Sequence, residues 1–270
     1  MTTTALPRPS GDLRVTQPRV LRMEWIKFWS LRSTIYTLAI TALLTIGIGS
    51  LITGLVGGGE DGPGADDFAD PASISLSGVM LAALAIAALG VLMSTGEYAS
   101  GMIRATLAAV PARLPVLWAK AIVFAAVSFV LMLVTSLVAF VAGQAILSSR
   151  GLDSVTLADP GVLRAVVGAA VYLTGAGLIG LAVGALLRNT AGAITTVVGA
   201  LFVLPVLIQL LPASWNDAIS PYLPSNAAGS FMAVEAASPS LSAWPGLAVF
   251  AGYIAVLLAG AAVLLKRRDA

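Results

Sequence analysis

The chain of 270 residues contains no cysteine and no histidine, and only 10% of it is charged. Without those two residue types there are no disulfides, no thiolate nucleophile, no imidazole base, no haem ligation and none of the usual zinc or copper sites. No segment joins dense Lys/Arg to exposed aromatics, so no nucleic-acid partner is expected. None of the three lysines (Lys27, Lys120, Lys266) follows a glycine. A Walker A loop is therefore missing, and this chain is expected to bind no nucleotide or other cofactor of its own and to be no enzyme. What is abundant is hydrocarbon: 58% of residues are hydrophobic, with a mean hydropathy of +0.96. Soluble domains carry about a quarter charged residues. The composition is that of an integral membrane protein.

A helix needs about 20 apolar residues to cross the hydrocarbon core. Six stretches qualify, at about Thr34–Val56, Ser75–Ser94, Ala119–Leu147, Ala165–Leu187, Thr190–Leu211 and Pro245–Leu265. The third is too long for a simple span and is expected to tilt or project. The two-residue alternation of a membrane barrel is missing. The expected fold class is all-α, with six transmembrane helices over residues 34–265. Residues 1–17 read as a disordered cytoplasmic tail, 18–33 as an amphipathic interfacial helix and 266–270 as a basic tail. No cleavable signal peptide is expected, because more than thirty residues with six basic side chains precede the first apolar run.

Charge asymmetry sets the orientation. Arg8, Arg14, Arg19, Arg22, Lys27 and Arg32 precede span 1; Arg104, Arg113 and Lys120 lie between spans 2 and 3; Arg188 lies between spans 4 and 5; Lys266, Arg267 and Arg268 end the chain. Thirteen of the fifteen Lys and Arg thus fall on one side. The other side has Arg150 and Arg164, with an acidic loop of Glu60, Asp61, Asp66, Asp67 and Asp70. Both termini are expected in the cytoplasm. The acidic loop, rich in glycine, lacks the ligand spacing of an EF-hand and reads as a solvated linker.

Three elements are expected outside the core. On the first, Leu21, Trp25, Phe28 and Trp29 share a helical face while Arg19, Lys27 and Ser30 lie away from it; this fits an interfacial helix on the lipid bilayer, or a plain basic flank. The second is the segment Thr95–Trp118, in which residues around Arg104 have the composition of a short helix ended by Pro111. It reads either as an element that inserts into a cytoplasmic partner or as a solvated turn. Here Glu97 is expected at the start of the short helix, where free amides favour an acid, either capping that helix or pairing with a basic residue of this bundle or of a partner. Gly101 would allow close approach, Met102, Ile103 and Leu107 would fill an apolar groove, and Arg104 would sit at its rim. The third is the outer loop from Pro212 to Trp244, too apolar for free hydration, which reads as short helices dipping into the outer leaflet or capping the outer mouth of a pathway.

The span centres contain no ionisable residue, and Lys120 and Arg164 at span ends are expected to snorkel. That disfavours ion-coupled transport and intramembrane hydrolysis. Ala176, Gly180 and Gly184, with Gly177 beside them, form a ladder of small residues, serving either packing within the bundle or a dimer seam. Pro205 within span 5 predicts a kink or a broken helix.

Three sequence elements resemble the permease subunits of type 2 ABC exporters, of the short bacterial six-span kind. They are Glu24-Trp25-x-Lys27 with Leu31-Arg32-Ser33-Thr34 entering span 1, Gly96-Glu97-Tyr98-Ala99-Ser100-Gly101-Met102-Ile103-Arg104 after span 2, and Pro221-Tyr222-Leu223-Pro224-Ser225-Asn226 in the last outer loop. The resemblance implies a bacterial plasma-membrane permease whose N-terminal helix is the family's elbow helix. The Glu97 segment would then contact a separate ATPase subunit carrying ATP and Mg, and the last outer loop would be re-entrant. A second permease copy, or a related permease, would complete the pathway. The long Gly- and Asp-rich first outer loop departs from what the resemblance covers. Two other readings stand beside this one: a membrane anchor or assembly subunit that transports nothing, and a secondary transporter or channel.

Overall fold

A computed structural model of the chain describes residues 16–56, 70–110, 112–234 and 240–267, with the side chains of Val56, Arg104, Leu107 and Ala109 outside that description. The tail 1–15, residues 57–69 of the acidic first outer loop, Pro111, residues 235–239 and the last three residues lie outside the described residues. Among the described residues every regular element is helical. In chain order they are α1 (Gln17–Ser30), α2 (Arg32–Val56), α3 (Pro71–Ser75), α4 (Gly78–Ala99), α5 (Met102–Ala109), α6 (Leu114–Ser149) and α7 (Val162–Leu187). They continue with α8 (Thr190–Val198), a π-helical segment (Gly199–Val203), α9 (Leu204–Gln209), α10 (Ala213–Ile219), a 3₁₀ turn (Ser220–Tyr222), α11 (Pro224–Met232) and α12 (Ala243–Arg267).

Six of these helical stretches are long and apolar enough to cross a membrane: α2, α4, α6, α7, the continuous run Thr190–Gln209, and α12. The chain is thus built as an integral membrane protein. The boundaries differ from the sequence expectation where polar contacts act. The second span starts at Gly78 because Asp70 caps a separate helix, accepting from the Ala72 amide at 3.0 Å. It then continues to Ala99. The third span runs 36 residues, or about 54 Å at 1.5 Å per residue, so it projects well beyond a 30 Å core. Together these extensions turn both ends of the expected loop between spans 2 and 3, Thr95–Ala99 and Leu114–Trp118, into helix.

The bundle is organised around α7, which is buried along most of its length, and α4 beside it. Their contact explains the small-residue ladder. A Cβ on Gly184 would stand 2.9 Å from the Val91 carbonyl oxygen, and one on Gly180 would meet the backbone of Ala87 and Val91. From the other side, a Cβ on Gly90 would lie 2.8 Å from the Gly177 carbonyl carbon and 2.9 Å from the Leu181 nitrogen. Ala176 is fully buried in the same core. The Ser94 hydroxyl donates to the Leu181 carbonyl at 2.8 Å across this seam. The ladder therefore serves contact within one chain, where glycine lets backbones meet. On α2, Thr41, Thr45 and Thr53 are buried, and each donates to the carbonyl one turn back at 2.8 Å. Their hydroxyls are satisfied within their own helix.

Span 5 answers its proline without a break. Pro205 has no N–H to give one turn back, and the preceding segment Gly199–Val203 widens into π turns, with the Leu204 amide bonding the Gly199 carbonyl. Beyond it, α10 and α11 form the expected short helices of the outer loop. α11 folds back between α7 and α12: a Cβ on Gly168 would stand 2.7 Å from the Phe231 carbonyl oxygen, and the Phe231 and Phe250 rings lie 5.8 Å apart.

Candidate functional site

Both described ends of the chain lie at one end of the bundle, where Arg113 at the entrance to α6 donates to the Leu265 carbonyl at 3.4 Å. There α1, the last turn of α4, α5 and the first turns of α6 converge on four charged side chains. Lys120 Nζ lies 2.7 Å from Glu24 Oε2 and 2.7 Å from Glu97 Oε1. Lys27 Nζ lies 3.1 Å from Glu24 Oε1 and 3.1 Å from Glu97 Oε1. The four groups close a ring of alternating sign, each touching two of opposite charge. Lys27 also donates to the Thr106 hydroxyl of α5 at 3.1 Å. The Glu24 side chain is fully buried, and those of Glu97 and Lys120 are nearly so.

Taking an ion out of water costs several kcal/mol even after relaxation, so such charges persist only when paired and hydrogen-bonded. The ring meets that condition and sums to zero charge. Its value is geometric: a carboxylate accepts only along certain directions, so four elements are held in one register. Two expectations change here. Lys120 does not snorkel; it turns inward, because Glu24 and Glu97 offer it two carboxylates within hydrogen-bond reach. Glu97 is not at the start of the short helix but in the last turn of α4, where the helix dipole opposes an acid. The two lysines supply what the helix end does not.

On α1 the shared face read from the sequence divides. Phe28 is fully buried, its ring 6.5 Å from that of Phe124 on α6, and Leu21 packs at the core's edge. Trp25 and Trp29 stand half exposed on the outside, 5.9 Å apart. The inward stripe is Val20, Glu24 and Phe28, with Lys27 beside it. An acid in the middle of an apolar i, i+4, i+8 stripe was the available signal for Glu24; its partner 96 residues away was not readable.

The rest of the segment after span 2 is arranged around a left-handed turn. Gly101 has φ +71°, with nothing of this chain within 4 Å of a would-be Cβ. Its role within the chain is thus the turn that starts α5, not a close approach. Ile103 is buried, whereas Met102 is exposed. The side chains of Arg104 and Leu107 lie outside the described residues. Tyr98 lies under the Arg188 guanidinium at 4.9 Å, and Thr190 donates to Thr95 at 2.8 Å, so the turn between α7 and α8 is tied to the same platform.

At the opposite end the remaining sequence candidates come together separately. Pro221 lies in the 3₁₀ turn, half-exposed Tyr222 accepts from the Tyr253 hydroxyl at 3.1 Å, and buried Leu223 precedes Pro224, the first residue of α11. Asn226 donates to the Ser220 carbonyl at 2.9 Å and its hydroxyl at 2.7 Å, closing the turn. Among the described residues no group of three or more acidic side chains is placed to hold a metal ion. No family model matches the chain, and no curated protein matches it.

Proposed function

We propose that this chain is the membrane-spanning permease subunit of an ATP-driven ABC exporter, forming the substrate pathway and coupling to a separate ATPase subunit through the segment between spans 2 and 3. The observation that supports this is the ion ring. It joins α5, the one short helix set between two spans at the basic end, to α1, α4 and α6 through Lys27 and Thr106. Force applied to α5 by a partner would pass into two membrane-crossing helices through charge-assisted contacts instead of dissipating in a loop. Exposed Met102 presents an apolar side chain to that partner. The basic end faces the cytoplasm of a bacterial cell by the positive-inside rule, ATP and Mg sit on the partner, and two permease subunits enclose the pathway.

Purification from native membranes tests the reading. The chain is expected to bring with it an ATPase that carries a Walker A loop, and ATP-dependent transport is expected to need both. Met102→Asp alters the exposed surface of the turn and Gly101→Trp strains the left-handed residue that starts α5, so both are expected to weaken ATPase co-purification with insertion unchanged. Two fully associated, fully active variants overturn the coupling role. ATP hydrolysis by the single purified chain overturns the permease assignment. The orientation has its own check, since the chain has no native cysteine. A cysteine at Ala158 should react with an impermeant thiol reagent in intact cells, and one at Ala112 only after permeabilisation.

A further inference from the structure

At the end of the bundle away from the chain termini, α7, α11 and α12 enclose a cavity of about 180 Å³. Its lining has a gradient. Arg164 in the first turn of α7 and Trp244 in the first turn of α12 stand at the rim, while Val167, Val171, Phe231 and Leu247 form apolar walls. Val171 lies about 10 Å farther along α7 than Arg164, at 1.5 Å per residue. The Arg164 guanidinium is exposed and donates to the carbonyls of Ala233 at 2.9 Å and Val234 at 3.0 Å. Among the described residues no carboxylate pairs with it. Trp244 is 77% exposed, an indole placed where an amphipathic ring prefers the membrane boundary.

We propose that this groove binds one anionic phospholipid, with the phosphate on Arg164 and one acyl chain along Val167, Val171 and Leu247. The occupant follows from the gradient. A free phosphate would leave the apolar walls uncovered, and a hydrocarbon alone would leave the exposed guanidinium with no anion among the described residues. A guanidinium above a crevice with no polar wall matches an amphiphile of the leaflet that surrounds these two helices. The inference needs only that α7 and α12 cross a membrane, so it stands or falls apart from the ATPase partnership.

Native mass spectrometry of the full-length, delipidated protein tests it, titrated with dioleoyl phosphatidylglycerol or dioleoyl phosphatidylcholine. Both lipids carry the phosphate, but phosphatidylcholine also brings a quaternary ammonium that opposes Arg164, so one phosphatidylglycerol should bind about tenfold more tightly, the scale of one charge–charge interaction near a surface. Arg164→Gln should abolish the preference and Arg164→Lys should keep part of it. Val171→Phe fills the crevice without touching Arg164 or its carbonyl partners, and should reduce binding of both lipids with the lipid-free melting temperature unchanged. A phosphatidylglycerol carrying brominated chains should quench wild-type fluorescence more than that of Trp244→Phe. Equal binding of the two lipids by the wild type overturns the proposal, as does a preference that survives in both Arg164→Gln and Val171→Phe.

Discussion

The two ends of the bundle are held by different chemistry. The end with both termini is locked by four formal charges, Glu24 and Lys27 on α1, Glu97 on α4 and Lys120 on α6, all buried except the partly exposed Lys27. At the opposite end the buried lock between helices is made of neutral groups. Gln144 of α6 donates to the Pro71 carbonyl and the Ser75 hydroxyl, each at 3.0 Å, and accepts from the Val155 amide at 2.8 Å. One glutamine thus gathers α3, α6 and the segment before α7. A charged lock punishes the loss of one member more than a neutral lock does, because the partner left behind is an ion. It also tolerates paired removal better. The neutral lock loses little more than the hydrogen bonds themselves.

The largest effect is expected from Lys120→Met. It leaves Glu24 and Glu97 facing each other with only Lys27 between them, and should destabilise the protein by about 3–5 kcal/mol. Unfolding in dodecylmaltoside micelles with increasing SDS measures it, and a loss no greater than that of a surface substitution would erase the contrast between the ends. The double variant Lys120→Met/Glu97→Leu removes one charge of each sign and leaves Glu24 paired with Lys27. It should be more stable than the sum of its singles by about 1–3 kcal/mol, read from a complete double-mutant cycle. At the other end Gln144→Leu should cost about 1–3 kcal/mol, since the partly buried Val155 amide loses its acceptor and the buried Ser75 hydroxyl loses a donor. If Gln144→Leu proves as damaging as Lys120→Met, charge is not what separates the two ends. The smallest effect belongs to Asn189→Ala, which removes the side-chain acceptor of the Gly192 amide at the start of α8 and should cost about 1 kcal/mol by the same assay.

How far these features could be read in advance depends on how local their causes are. The six spans were legible because the thickness of a bilayer imposes their length on each run separately, and the structure has six such helices. The short helices of the last outer loop were legible for a similar reason: Pro221 and Pro224 punctuate an apolar stretch that water would not hold open. The ring was not. Lys27 read as a cation on the polar side of an interfacial helix and Lys120 as a snorkelling end, because Glu97 beside Lys27 and both acids beside Lys120 come from other helices. The glycine ladder on α7 was visible, but nothing local tells which helix it meets; Gly90 of α4 answers that only in three dimensions. Pro205 marked a disturbance in span 5, but not its form, which the structure shows as π turns over Gly199–Val203 with the Leu204 amide on the Gly199 carbonyl.

The contact at Gly90 and Gly177 has a mechanical consequence. Two helices whose backbones touch, with no side chains between them to change rotamer, have no lubricating layer. Sliding or twisting one against the other would drive carbonyls into the facing chain, so α4 and α7 must move together as a single strut. The Ser94–Leu181 bond pins the same strut nearer the charged end. Any opening of the bundle then has to be assigned to the helices around it, and the least buried of these are α12 and the run from α8 to α9. The second of them contains the wide-turned segment Gly199–Val203, where one added residue per turn loosens the ladder of backbone bonds. The molecule thus has a stiff spine with a compliant flank beside it, set by where glycine removes a side chain and where proline removes an N–H.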